Sequence, residues 1–139
     1  MITIQELLYN RGLNKHELIK LVRHKDARCS LYNKYLNDVD WFLSYQNSQA
    51  KPVFHNVKYI VSFIGEESCN SRFIGVYEIT DVYENTEYDP ESLINNRYVY
   101  SIVEKDGFDD LKERVVIKWN NPRAWHQWIK NDMEIIRID

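Results

Sequence analysis

The apolar positions of this chain change period along its length, and the changes mark out its elements. Near the N-terminus, Thr3 and Glu6 form a T-x-x-E capping box, with Ile2 and Leu7 placed to close a hydrophobic staple. Gly12 then acts as a stop, so residues 4–11 are expected to form a short helix. Asn14 and Glu17 repeat the capping signature weakly for one further turn. The chain then becomes rich in β-branched residues, and Ile19–His24 reads as a strand. Between residues 31 and 49, Tyr32, Tyr35, Leu36, Val39, Phe42 and Leu43 recur at steps of three and four, the helical period. Asp38 or Asp40 would cap a helix through Trp41, Tyr45 and Gln49, which Pro52 keeps from running further.

Beyond Pro52 the period is two. Val57–Ile64 and Arg72–Thr80, joined by the polar loop Gly65–Ser71, make the strongest hairpin in the sequence. Gly75 inside the second strand predicts a bulge or a tight barrel bend. Residues 81–96 read as an acidic loop. Arg97–Val103 and Arg114–Trp119 are two further strands, separated by a turn region, Lys105–Lys112, around Gly107. Asn121 would cap a short helix with Pro122 at its first position, carrying Trp125 and Trp128 three apart on one face. Glu134–Ile138 closes the chain as a strand. The pattern predicts one α+β domain over residues 1–139: a small mixed or antiparallel β-barrel of five or six strands with flanking short helices. Closure into a barrel disposes of strand edges.

Composition narrows the class. With 139 residues, 44% hydrophobic and 28% charged, the chain can bury its own core. Aromatic residues are abundant at 14%, including ten Tyr and four Trp, and four Gly and three Pro leave no flexible linker. No apolar run approaches the ~20 residues of a membrane helix. The opening MITIQELLYN lacks the basic-then-apolar pattern of a secretory leader, so a cytoplasmic location is expected, with no membrane partner. Cys29 and Cys69 are isolated and lack metal-ligand spacing. They read as free thiols of a cytosolic protein, a disulfide being the alternative. The net charge of −3 conceals a segregation. Residues 11–34 carry seven Lys/Arg against two acids, a local balance of +5, and residues 78–113 carry eleven acids against three bases, a balance of −8. The total argues against indiscriminate coating of nucleic acid, while a basic face still reaches phosphates within a screening distance of ~10 Å. The alternative is that both segments are solvated surface.

The residues offer little for catalysis. Gly75-Val76-Tyr77 and Tyr98-Val99-Tyr100 mimic the two halves of a GIY-YIG nuclease signature. The second lacks the required glycine, and no following helix presents the Arg and Glu of such a site, so both are read as strand. His16, His24, His55 and His126 are scattered without ligand spacing, which argues against zinc. Neither a nucleophile elbow nor a glycine-rich phosphate loop occurs. A non-enzyme without metal or cofactor is expected. Two constellations remain. One is basic, Arg23, His24, Lys25 and Arg28, with Arg forks suited to phosphates or guanine edges; ordinary surface charge is its alternative. The other is aromatic, Trp41 and Tyr45 together with Trp119, Trp125 and Trp128, able to hold a splayed base between rings; core packing is its alternative. Because an indole N–H needs a partner, at least one of these Trp is expected at a rim.

Six segments, taken in order and spacing, carry a resemblance: Leu18–His24 (LIKLVRH), Leu43–Gln49 (LSYQNSQ), Lys58–Glu67 (KYIVSFIGEE), Arg72–Ile79 (RFIGVYEI), Arg114–Trp119 (RVVIKW) and Arg123–Ile129 (RAWHQWI). Together they resemble the N-terminal, non-catalytic region of a group of bacterial GIY-YIG nuclease family proteins, over nearly the whole chain. In those proteins the catalytic domain follows where this sequence reaches Asp139, so its catalytic residues have no positions here. The resemblance implies a DNA-contacting or substrate-selecting role. More loosely it suggests the PUA-like barrels of the EVE, ASCH and SRA group, which hold modified bases in an aromatic pocket. The positions matching the region's recurrent polar and aromatic residues are Arg23, His24, Tyr45, Gln46, Ser62, Arg123, Trp125 and Trp128. On that footing Gln46 and Ser62 would hydrogen-bond a base edge, and Arg23 and Arg123 would hold phosphates.

The leading expectation is therefore a nucleic-acid recognition module for modified or unpaired DNA bases, attached to a nuclease or restriction-type system. The runner-up is an interaction or structural domain that docks on a nuclease or defence partner through acidic residues such as Glu84, Glu87 and Asp89. A third reading is a small-molecule sensor using the end of the barrel as its pocket.

Overall fold

The computed structural model describes residues 2–25, 48–49, 54–66, 70–84, 98–119, 124–129 and 133–139. Among them run one helix, α1 (Ile4–Asn10), and eight strands. The strands are β1 (Ile19–Lys25), β2 (Ser48–Gln49), β3 (Tyr59–Gly65), β4 (Asn70–Glu84), β5 (Tyr98–Glu104), β6 (Val115–Lys118), β7 (His126–Trp128) and β8 (Ile135–Ile138). All join one sheet in the order β2-β5-β4-β3-β1-β7, with β6 added to β4 and β8 to β6. The chain is mostly β, and the sheet curls into a half-barrel.

The spine is β4, fifteen residues long, which changes partners along its length. One edge pairs antiparallel with β3; the other pairs with β6 at Asn70–Arg72 and with β5 from Tyr77 to Glu84. Two bulges bend it. Ser62 pairs with Gly75 but Phe63 with Phe73, so Ile74 is the extra residue; a second shift falls at Thr80, between Ile79 and Asp81. Bulges raise local twist, which is how a sheet of short strands curls. Gly75 is needed at the first one, because the Tyr77 ring folds over it: a Cβ would stand 2.9 Å from the Tyr77 hydroxyl. The β1–β3 pair is parallel, and residues 26–58 lie between them, long enough for the crossover such a pair requires.

Both faces of the sheet carry buried apolar residues. Alternation along β1 sends Ile19 and Leu21 into a first core, with Val61, Phe63 and Phe73 from β3 and β4, and Val22 into a second. Helix α1 covers the first core with Ile4 and Leu8, one turn apart on one face. Its start is capped as the sequence predicts, the Thr3 hydroxyl accepting from the Glu6 N–H at 3.2 Å. The Ile4 N–H donates to the Met133 carbonyl at 2.9 Å, tying α1 to the chain entering β8. The second core gathers Val22, Ile60, Phe54, Val57 and Tyr100. There the Tyr100 ring meets Phe54 edge-on at 5.3 Å, and burial pushes its phenol pKa up. Among the described residues no helix is long and apolar enough to cross a membrane.

Several sequence expectations are corrected. Gln49, expected at a helix end, lies in β2 and pairs with Tyr98 of β5; residues 31–47 of that expected helix lie outside the described residues. Residues 81–84, read as loop, continue β4 because β5 offers a ladder to pair with. The segment bearing Trp125 and Trp128 is not helical: His126–Trp128 is β7, paired with β1. Eight strands replace five or six, two of them only two or three residues long, and one helix of seven residues moves the α+β balance toward β. Cys29 and Cys69 lie outside the described residues.

Candidate functional site

The site grows from β7, at one end of the sheet path. Lys20 pairs with Trp128, Leu21 with Gln127 and Val22 with His126. On either side of these, the Arg23 N–H donates to the Trp125 carbonyl at 2.7 Å and the Ile129 N–H to the Ile19 carbonyl at 3.0 Å. In an antiparallel ladder bonded and non-bonded pairs alternate, so the backbone N–H and C=O groups of His126 and Trp128 point away from β1. Among the described residues no strand pairs with that outer edge.

The same register sets the side chains. His126 and Trp128 share the sheet face of Lys20 and Val22, the face of the second core. Trp125 precedes β7, and its ring leans onto the same face, edge-on to Phe54 at 6.1 Å and 4.4 Å from the His126 ring. Both indoles remain open to solvent, Trp125 41% exposed and Trp128 45%. Lys20 runs beneath them as a buried residue, its Nζ 4.8 Å from the centre of the Trp128 ring and 3.2 Å from His126 Nδ1. Desolvation lowers the Lys20 pKa. Burial lowers that of His126, and the nearby Lys20 charge lowers it further. The result is a strand edge with two solvent-exposed indoles, a neutral imidazole beside them and a cation over the Trp128 ring.

Of the eight residues expected from the sequence, the structure brings four to this face, and only Trp125 and Trp128 reach the surface. Ser62 pairs with Val22 and is fully buried in a central strand; its hydroxyl is not presented to a base edge. His24 is buried two residues beyond Val22. Arg23 points the other way. It pairs with Phe63 of the first core, and its guanidinium is committed, Nε donating to Ser71 Oγ at 2.9 Å and Nη2 to the Glu66 carbonyl at 3.3 Å. Arg23 is thus a half-buried clamp between β1 and the β3–β4 turn. Tyr45, Gln46 and Arg123 lie outside the described residues.

Sequence reasoning missed Lys20 and His126. The signal was present: alternation in Ile19–His24 sets Lys20 beside Val22 and His24, and strand spacing pairs His126 with Trp128. The Trp-x-x-Trp step of three, read as helical, hid it. The acidic segment is partly tied down. Glu78 holds Lys58 at 2.5 Å, Asp110 receives both arms of Arg11 at 2.8 and 2.9 Å, and Glu104 pairs with Lys112.

The fold and site define a mostly-β chain with an aromatic, cation-backed strand edge. Compared with protein-family models, curated proteins and solved structures, the chain finds no match.

Proposed function

We propose that this chain is a nucleic-acid recognition module, in which the β7 edge seats an unpaired or modified base of DNA. The observation that carries the reading is the pair of solvent-open indoles, Trp125 and Trp128, flanking His126 above a buried lysine. Planar rings accept any base face, and a nearby cation favours the polyanion that bears it. The resemblance to the region preceding a GIY-YIG nuclease domain supports the same reading and sets the module beside a nuclease in a restriction-type system. The curled sheet accords with a PUA-like barrel. The protein recognises and does not cut.

Titration of intrinsic Trp fluorescence with single-stranded, duplex and modified DNA tests it. Binding weakens steeply with salt. Trp125→Ala and Trp128→Ala each cost about 1–3 kcal/mol, the worth of one base stacked on one ring. Absence of binding to every DNA at low salt refutes the proposal.

One observation favours a second reading. Tyr83 and Val103 are exposed on one face of the β4–β5 ribbon, which they share with exposed Asp81. An apolar strip with an acidic rim suits a basic protein partner. Such a partner would be lost on Tyr83→Ser, and unchanged co-purification would exclude this strip.

A further inference from the structure

We propose that β7 is an acid-released strand: protonation of His126 drives it off Lys20 and loosens β7 from β1, while the rest of the sheet stays paired. The device does not depend on what the edge binds.

At neutral pH an imidazole accepts from an ammonium here. Lys20 Nζ stands 3.2 Å from His126 Nδ1 and 4.8 Å from the centre of the Trp128 ring, so one β1 side chain holds two side chains of β7. A proton on Nδ1 turns the acceptor into a donor and sets two cations against each other on a half-buried face. To separate, one of them must leave the face, and with it goes the contact that ties β7 to Lys20. This strand has little else to resist with: it is three residues long, and among the described residues β1 is its one partner. The charged and titratable neighbours are few. On β1, Lys20 and His24 share the face of His126, one on either side of Val22. The turn at Phe54, which packs on the Trp125 ring, brings His55, edge-on to Tyr98 and Tyr100. The Tyr100 phenol, its pKa raised by burial, stays neutral throughout. No carboxylate occurs within Ile19–Lys25, residues 54–57 or His126–Trp128, so the protonated ring gains no partner from them. Burial lowers the His126 pKa and the Lys20 charge lowers it further, so the released strand, its imidazole in water, takes up the proton first. Docking of β7 is therefore at full strength above the ordinary imidazole range and weakens as pH falls from about 6.5 toward the lowered value.

Hydrogen exchange of the whole chain tests this between about pH 7.5 and about pH 5.5, above the range where carboxylates titrate. The Arg23 amide, bonded to the Trp125 carbonyl, and the Ile129 amide, bonded to the Ile19 carbonyl, report the β1–β7 ladder. The Ile79 and Lys105 amides, bonded to the Lys58 and Val76 carbonyls, report the rest of the sheet. After correction for intrinsic exchange, opening at the first two is expected to rise as pH falls, and opening at the second two to stay flat. The rise is about tenfold for each unit by which the imidazole of the folded protein titrates below its ordinary value, which NMR of the His126 ring measures in the same sample. Lys20→Met raises that titration point and shrinks the rise in step. His126→Asn keeps an acceptor for Lys20 and loses the proton, so opening no longer follows pH; a persisting dependence passes the role to His24 and overturns the proposal. Flat opening at Arg23 and Ile129, an equal rise at all four amides, or an imidazole titrating at or above its ordinary value also overturns it. These last three readings use the unaltered protein and survive a variant that fails to fold.

Discussion

The commitment of the half-buried Arg23 to Ser71 and Glu66 is the sharpest break between sequence and structure, and it has a measurable size. The guanidinium makes one good bond to Ser71 Oγ, itself fully buried, and one long bond to the Glu66 carbonyl. Arg23→Ala removes a charge-assisted hydrogen bond and strands a buried hydroxyl, which together cost about 2–3 kcal/mol. For a chain of this size that lowers Tm by roughly 6–10 °C. The guanidinium also lies on Gly65. A Cβ at that position would stand 2.5 Å from Arg23 Cζ and from Nη2, so Gly65→Ala must push the fork off Ser71. The two substitutions attack one interaction and cannot be additive: Gly65→Ala is costly in the wild-type background and nearly neutral once Arg23 is Ala, a coupling of about 1–2 kcal/mol. Urea melts of both single variants and the double variant give the cycle, and DNA titration of Arg23→Ala below its transition gives the affinity. Arg23→Lys separates the roles further, since lysine keeps the charge a phosphate wants and loses the fork Ser71 needs. Additive single effects, or a normal melt with lost DNA binding that Arg23→Lys restores, would refute this structural role for Arg23.

Two further outcomes follow from the packing and the charges. Trp119 is buried and its indole N–H donates to the Ala124 carbonyl at 2.8 Å, so Trp119→Phe costs about 1–3 kcal/mol and loosens the approach to β7. Hydrogen exchange would show it as faster exchange of the Arg23 amide, which bonds to Trp125; unchanged protection would contradict the link. Hydrogen bonds from Lys58, Arg11 and Arg72 hold the Glu78, Asp110 and Asp139 carboxyls below their usual pKa. The unfolded chain then takes up protons at higher pH than the folded one. The stability from these pairs is present above the ordinary carboxylate range and lost as pH falls through the lowered values, from about pH 5 downward. Circular-dichroism melts across that range should show Tm falling on acidification, less so in high salt. A Tm that rises on acidification would count against the pairs.

Much of the fold was legible because its signals are local. The N-cap at Thr3, the alternation in Ile19–His24, the hairpin of β3 and β4 and the bulge at Gly75 each follow from neighbouring residues, and each is found. The failures share a cause. Gln49 and the His126–Trp128 segment owe their conformation to distant partners, β5 and β1, which no window of sequence reveals. Tertiary pairing overrides a step of three between two Trp residues, all the more because aromatic side chains suit a strand. The candidate site suffered more than the fold. Counting basic residues placed Arg23 and His24 together, yet neighbours in a strand face opposite ways. That period of two separates them and joins Lys20 to the Trp128 face instead.

The site therefore depends on register more than on composition. Were β7 to slip by one residue against β1, Gln127 would take the place opposite Lys20, and the side chains facing the two cores would exchange. Trp128 would turn toward the first core and His126 would lose its lysine. Only the observed alignment gives an indole above the cation and an imidazole beside it. Beside the ladder bonds of the Leu21–Gln127 pair, three contacts at its ends hold it: Arg23 N–H to Trp125, Ile129 N–H to Ile19, and the Trp119 indole to Ala124. The first two are ladder bonds that a slipped strand could remake with new partners. The third ties the chain just before β7 to a side chain fixed in the first core, which a slipped strand cannot satisfy. Trp119, buried in the first core, is thus what distinguishes this register from its neighbour, and its replacement should weaken the DNA binding proposed for this edge, read by titration, even where the protein stays folded.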